Sequence, residues 1–234
     1  MSELRIETVV TSGTFTLDGE TFDVDNNVYV IGDDASCVII DAAHDAAPVI
    51  AAVAGRKVTA ILLTHGHDDH LHAVAALREA TAAPTYLHPA DRMLWDVTNP
   101  DLPPDEQLVD GMELGVGGAG SGSGSSSGAG SAGAGGAGGP DRARVTVIHT
   151  PGHSPGSCCF HVPELGVVLT GDTLFQGGPG ATGRSYSDFP TIIDSIRDRL
   201  LTLPAETRVL TGHGDSTTIG AEAPQLEEWI ARGH

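Results

Sequence analysis

The sequence predicts an α+β protein made of two similar halves, and three features lead to that class. Short Val/Thr/aromatic-rich segments broken by Gly and Asp fill the first forty residues, and strand-like segments return after residue 143. Each half then passes into apolar strands followed by stretches with helical periodicity. Between the strand-like pieces "MELGV" and "RVTVIHT" lies a tract, residues 115–139, in which 13 of 25 residues are Gly and most of the rest are Ser and Ala, so it has nothing to bury. Strands first and helices after, twice over, indicate two β-then-α units packed together.

Taken in order, "RIETVV", "GTFTL" and "NVYVIG" read as strands, and "SCVIID" (Ser36 to Asp41) as an apolar strand ending in a carboxylate. "DAAPVIAAVAG" reads as a helix, with Asp45 as N-cap and Gly55 closing it. "KVTAILLT" is a buried strand, "DDHLHAVAALREATAA" a second helix with Leu71, Val74, Ala75 and Leu77 at helical spacing, and "PTYLHP" a strand. "MELGV" and "RVTVIHT" flank the Gly-rich tract. Neither flank stands alone as a domain, so the tract is expected to be an elongated hairpin tip within one domain covering 1–234, an interdomain linker being the alternative. "GSCCFHVPELGVVLTGD" reads as a hairpin, "DFPTIIDSIRDRLLTL" as a helix, "TRVLTGHG" as a strand ending in a polar turn, and "APQLEEWIARG" as a C-terminal helix.

Bulk properties remove several function classes. With 12 Lys+Arg against 31 Asp+Glu, the net charge of −19 repels phosphate backbones, and the only adjacent basic pair is Arg56-Lys57, so no nucleic-acid partner is expected. Cys37, Cys158 and Cys159 are odd in number and two are adjacent, which does not make a disulfide framework; core packing in "SCCFHV" accounts for them. "MSELRIETVV" lacks the basic and apolar regions of a signal peptide, and no apolar run reaches membrane-spanning length. A cytoplasmic protein with reduced thiols and no membrane partner is the expectation.

Four apolar strands or hairpins deliver His or Asp at their C-terminal ends. The first ends in "THGHDDH", with His65, His67, Asp69 and His70; the others end in "TPGH", "LTGD" and "LTGH", giving His153, Asp172 and His213. His65 and His67 lie two apart in an extended segment and point the same way, so they can chelate one ion. Asp69 and His70 open the following helix and face a different point, which makes two neighbouring metal positions the natural result. Imidazole and carboxylate donors suit Zn²⁺, with Fe or Mn possible.

In these motifs the chain resembles the metallo-β-lactamase-fold hydrolases. Their HxHxDH hallmark appears as "HGHDDH", followed by a His, a bridging Asp and a final His. "TPGHSPGS" and "GDTLFQGG" resemble the glyoxalase II-like branch. The resemblance covers the chain apart from the Gly-rich tract and implies a four-layer αββα sandwich. It further implies that His65, His67 and His153 hold one Zn²⁺, that Asp69, His70 and His213 hold a second, and that Asp172 bridges them. Asp69 and Asp172 would orient a metal-bridging hydroxide for attack on an ester or thioester carbonyl. Asp41 matches an acidic position that in the family lies just behind the ligands, where it can fix an imidazole tautomer; ordinary helix capping is the alternative.

For the substrate, the resemblance implies a small-molecule thioester or ester. β-Lactamases of the family commonly lack a His at the position of His70. The best-known lactonases place a Tyr three residues past the bridging Asp, where this chain has Phe175. The best-known glyoxalase II enzymes have a helical C-terminal domain with basic residues for glutathione, whereas 21 residues follow His213, which leaves the thiol carrier open. In "GPGATGRSYSDFP", Arg184 and Tyr186 can meet an anionic group of the substrate; pairing of Arg184 with Asp188 is the alternative. Other readings on the same fold are a lactonase, a persulfide dioxygenase-like enzyme using one Fe at His65, His153 and Asp172, and a non-catalytic binding protein. The oligomeric state is open.

Overall fold

A computed structural model describes residues 3–118 and 142–233. The first half opens with a long hairpin of β1 (Arg5–Leu17) and β2 (Glu20–Gly32), paired antiparallel from Arg5↔Gly32 to Leu17↔Glu20. Its two turn residues, Asp18 and Gly19, both have positive φ, 54° and 80°. That is the twist a two-residue hairpin requires, and Asp-Gly is suited to it. Here the structure differs from the sequence reading: Gly13 does not break the first strand, because every residue of β1 has a partner in β2. β3 (Ser36–Ile40) follows antiparallel to β2, then α1 (Ala46–Val53), and β4 (Lys57–Leu62) runs parallel to β3. The half is completed by α2 (Val74–Thr81), β5 (Thr85–Leu87), α3 (Arg92–Thr98) and a short edge strand, β6 (Glu106–Gln107). These six strands form one sheet in sequential order.

The second half contains β7 (Glu113–Val116), β8 (Ala143–His149), β9 (Cys158–Val162), β10 (Val167–Gly171) and a two-stranded ribbon, β11 (Leu174–Phe175) with β12 (Gly178–Pro179). Next come α4 (Phe189–Ser195), β13 (Arg208–Thr211), β14 (Thr217–Thr218), α5 (Ile219–Glu222) and α6 (Leu226–Arg232). The second sheet has the order β14-β13-β10-β9-β8-β7, with β10 and β13 parallel and its other pairs antiparallel. β7 and β8 pair from Glu113↔Thr146 to Val116↔Ala143, so the Gly-rich tract joins neighbouring strands; residues 119–139 of it lie outside the described residues.

Three apolar layers account for the stacking. Val30, Ile39, Ile61 and Leu63 pack with Val49, Leu77 and Trp95 between the first sheet and its helices. Ile31, Val38, Ile40 and Leu62 on the opposite face meet Val147, Phe160, Val162 and Leu169 between the two sheets. Val168, Cys159 and Val209 pack with Ile192, Ile196, Leu200 and Trp229 under the second set of helices. The fold is therefore an αββα sandwich, with each strand burying alternate residues on both faces. All three cysteines are buried and unpaired. Among the described residues no helix is long and apolar enough to cross a membrane.

Several helices depart from the sequence reading for identifiable reasons. The second helix was expected from Asp68, but Asp68–His70 form a 3₁₀ turn and α2 begins at Val74. The backbone there is diverted to Ala42: its N–H donates to His70 O and its carbonyl accepts from Ala73 N–H, at 3.0 and 2.8 Å. The helix expected over 188–203 continues from α4 as a π-helical turn over Ile196–Leu200. Pro224 lies in a 3₁₀ turn, Ala223–Gln225, between α5 and α6. α3, β6 and the β11–β12 ribbon were not anticipated.

Candidate metal centre

The loops that leave β4, β8, β10 and β13 carry all seven sequence-predicted donors, and the fold brings them together. Two backbone bonds lock the halves here: Cys158 N–H donates to Thr64 O and Asn27 N–H to Gly212 O, both at 2.7 Å. Asn27 Nδ2 also donates to Thr211 O and Gly214 O, and the Tyr29 hydroxyl to Thr211 O. The loop carrying His213 is thus held from the first sheet.

Three nitrogens converge on one side. His67 Nδ1 lies 2.9 Å from His65 Nε2 and 3.0 Å from His153 Nε2. On the other side His70 Nε2 and His213 Nε2 are 3.3 Å apart, and each is 3.4 Å from Asp69 Oδ2. Asp172 sits between the two: Oδ1 is 3.4 Å from His70 Nε2, and Oδ2 is 3.2 Å from His213 Nε2 and 3.6 Å from His153 Nε2. Within each of the triplets His65/His67/His153, His65/His70/Asp172 and Asp69/His70/His213, the donor atoms lie within 4.8 Å of one another.

The outer atoms of these rings explain why the inner ones point inward. His153 Nδ1 donates to Ala181 O at 2.9 Å and His213 Nδ1 to Asp25 O at 2.7 Å. His70 Nδ1 is 2.9 Å from Asp41 Oδ2, and Asp41 also accepts from Thr64 N–H and the Thr64 hydroxyl. With Nδ1 committed as donor, Nε2 is left to face the centre as a lone-pair donor. Asp41 therefore stands behind His70, as the resemblance implied. Asp172 Oδ1 is buried with no hydrogen-bond partner among the described residues. An unsatisfied buried carboxylate oxygen facing the His70 imidazole fits a cation.

Electrostatics divide the centre. Burial, then the neighbouring His70 and His67 rings, holds His65 well below the ordinary histidine range. Burial and the adjacent His153 push His67 down to about 3. Neutral imidazoles are what a metal ligand must be. On the carboxylate side burial opposes charge but is overcome. His70 is raised well above its ordinary value by Asp69, Asp172 and Asp41, and His213 is raised to about 10, chiefly by Asp172. Burial would lift Asp69, yet His70 and the His213 contact bring it down to about 2; Asp172, likewise against its burial, is held well below its usual value by His213 and His70.

Sequence reasoning missed three residues that shape the centre. Asn26 Nδ2 donates to Asp69 Oδ2 at 2.8 Å, and Asn26 Oδ1 is 2.7 Å from His44 Nε2. Asp91, fully buried, accepts from Gly66 N–H, Gly156 N–H and the Ser154 hydroxyl. Each acts through residues distant in sequence and carries no motif; the fixed, non-helical "DNN" before Val28 was the only local signal. Of the predicted substrate contacts, Arg184 is not paired with Asp188, which instead caps α4 through Thr191. Its Nη1 is 2.9 Å from Glu20 Oε2, and its guanidinium lies 5.0 Å from the Phe22 ring centre. Phe22 neighbours Phe15, whose ring centre is 5.2 Å from that of His67, so two aromatic rings separate Arg184 from the donors. Tyr186 is 54% exposed with φ 70° and stands outside the cluster of seven.

Comparison with known proteins agrees with this geometry. A family model of the metallo-beta-lactamase superfamily matches residues 21–213. The probable metallo-hydrolase YqgX of Bacillus subtilis (strain 168) is 31% identical over 213 residues, covering 85% of this chain and 90% of that protein. The hydroxyacylglutathione hydrolase GloC of Haemophilus influenzae is 31% identical over 193 residues, covering 81% of this chain and 85% of GloC. Among solved structures, TTHA1623 in a di-iron-bound form superposes with a TM-score of 0.67 at 34% identity, covering 86% of this chain and 93% of that one. The donor set, the αββα sandwich and these matches together establish that the chain belongs to the metallo-beta-lactamase superfamily and is a metallo-hydrolase.

Proposed function

We propose that this protein hydrolyses a thioester or ester of a small molecule at a centre of two divalent ions, most naturally Zn²⁺. His65, His67 and His153 would hold one ion and Asp69, His70 and His213 the other, with Asp172 between them. The observation that carries the reading is the convergence of seven donors, three of which, His153, His213 and His70, have their outward Nδ1 already spent on Ala181 O, Asp25 O and Asp41. Bound there, such ions supply Lewis acidity and bring the pKa of water near neutrality. The chain's own part is orientation. Asp172 Oδ1, with no other partner, is placed to orient an attacking water, and Asn26 fixes Asp69 Oδ2, the oxygen that faces His70 and His213. Phe15 beside His67 and Phe175 beside His213 give the approach apolar edges that suit an acyl chain. A thioester carrier is supported by the likeness to GloC, and iron as an alternative metal by the di-iron-bound neighbour.

The test is a panel of thioesters of several low-molecular-weight thiols, glutathione included, with esters and lactones, offered to the zinc- or iron-loaded protein. Expected is thiol release with kcat/KM of about 10⁴ M⁻¹ s⁻¹ or more for at least one thioester. Preference for lactones would move the assignment to that class. One iron per chain with oxygen consumption on a persulfide would replace hydrolysis by dioxygenation. No turnover of any of these substrates would leave a binding protein.

A further inference from the structure

Asp91 stands outside the seven donors, on the 3₁₀ turn Pro89–Asp91 that leads into α3. Its side chain is nevertheless shared between both loops that carry the three-imidazole site. Oδ2 accepts from Gly66 N–H at 2.8 Å, the residue between His65 and His67. The same oxygen accepts from the Ser154 hydroxyl at 2.6 Å, the residue after His153. Oδ1 accepts from Gly156 N–H at 2.6 Å. One carboxylate thus spans a loop of the first half and a loop of the second.

The two glycines are fitted to that carboxylate. A Cβ on Gly66 would lie 2.8 Å from Leu94 Cβ and 3.1 Å from Asp91 Cβ; one on Gly156 would lie 2.7 Å from Asp91 Cγ. Any side chain at either place would push the loop away from Asp91. The "G" of "HGH" and that of "SPGS" are therefore explained by a single contact point. Behind Asp91, Leu94 and Trp95 are buried, so the carboxylate is anchored to a packed helix and not to another loop.

We propose that Asp91 is a positioning residue that sets the spacing of His65 and His67 against His153, and thereby the affinity of the three-imidazole site alone. The proposal rests on the two-ion reading above. Asp69, His70 and His213 are held by other means, through Asn26, Asp41 and Asp25 O, so they should not feel the loss of Asp91.

The experiment is titration of the metal-free, full-length chain with Co²⁺ alone, following visible absorption and ions bound per chain. Wild type should take up two ions, and His67→Ala identifies the step belonging to the three-imidazole site. Asp91→Asn, which turns an acceptor into an amide facing N–H donors, should weaken that same step by about 10- to 100-fold and leave the other unchanged. Ser154→Ala removes one bond of the three and should weaken the same step by a smaller factor; it decides the matter if Asp91→Asn does not fold. Glu222→Gln is the control, a buried carboxylate that accepts from Gly177 N–H and the Thr217 hydroxyl. It should lower the thermal midpoint and move neither step. Equal weakening of both steps in the Asp91 or Ser154 variants, or of neither, overturns the proposal while wild type still binds two ions. Fewer than two Co²⁺ in wild type would overturn the two-ion reading, and the proposal with it.

Discussion

Asp69, His70, His153 and His213 are each held by a residue behind them, and the consequences can be tested one side chain at a time. His67 is buried and its Nδ1 is the atom shared by the other two imidazoles of its triplet. His67→Ala should keep the native circular dichroism spectrum while turnover falls by about 10²-fold or more, because the proposed chemistry needs both ions. Survival of activity would show that His67 is not a ligand. Asp41→Asn keeps the shape of the side chain but weakens the acceptor at His70 Nδ1–H; metal affinity measured against a competing chelator should drop by about 10- to 100-fold. The seven donors were legible because each follows an apolar strand and sits in a short polar motif, so sequence order alone pointed to them. Asn26, His44 and Asp91 were not. They reach the centre across the fold, and an isolated Asn or Asp in a sequence looks the same whether it caps a turn or holds a ligand.

At the scale of elements, the strands were read well where their apolar pattern was continuous, as in β3, β4 and β10. The reading erred where backbone bonding to another element overrode local periodicity. The run from Asp68 has helical spacing, yet Ala42 takes the backbone bonds a helix would need and delays α2 to Val74. The short ribbon β11–β12 has too few residues to show a period at all. Asp33 shows what one side chain does for a whole connection. Oδ1 accepts from Ala35 and Ser36 N–H, Oδ2 from Gly118 N–H, and Arg142 Nε lies 3.1 Å from Oδ2. It therefore holds both ends of the segment between β7 and β8. Burial alone would raise this carboxyl, but the bonds from Gly118, Ala35 and Ser36, and then Arg142, bring it to about 2 from an ordinary 3.8. The group is charged in the fold at a pH where the unfolded chain is protonated. Its stabilisation is complete above about pH 4 and disappears as pH falls toward 2. In urea unfolding, Asp33→Asn should cost about 1–2 kcal/mol at pH 6, and the gap to wild type should shrink by pH 3. A gap that stays constant with pH would rule out this role.

The whole molecule is held by the layer between its two sheets, and that layer also sets the distance between the loops from each half. Phe160, fully buried, faces Ile31, Val38 and Leu62 of the opposite sheet within that layer. Phe160→Ala should destabilise the chain by about 3–5 kcal/mol, read from chemical denaturation. A loss below about 1 kcal/mol would mean that the sheets are held by something other than this contact. The two-halves pattern was legible because each sheet face announces itself by alternation or by a run of apolar residues. How the halves meet was not, since Asn27–Gly212 and Thr64–Cys158 are backbone bonds between segments far apart in the chain. The central claim is that this meeting makes one centre for two ions out of seven donors. It is tested most directly by counting the zinc retained by the reconstituted, dialysed protein with elemental analysis. Two ions per chain are predicted; retention of none or one by the folded wild-type protein would contradict the account.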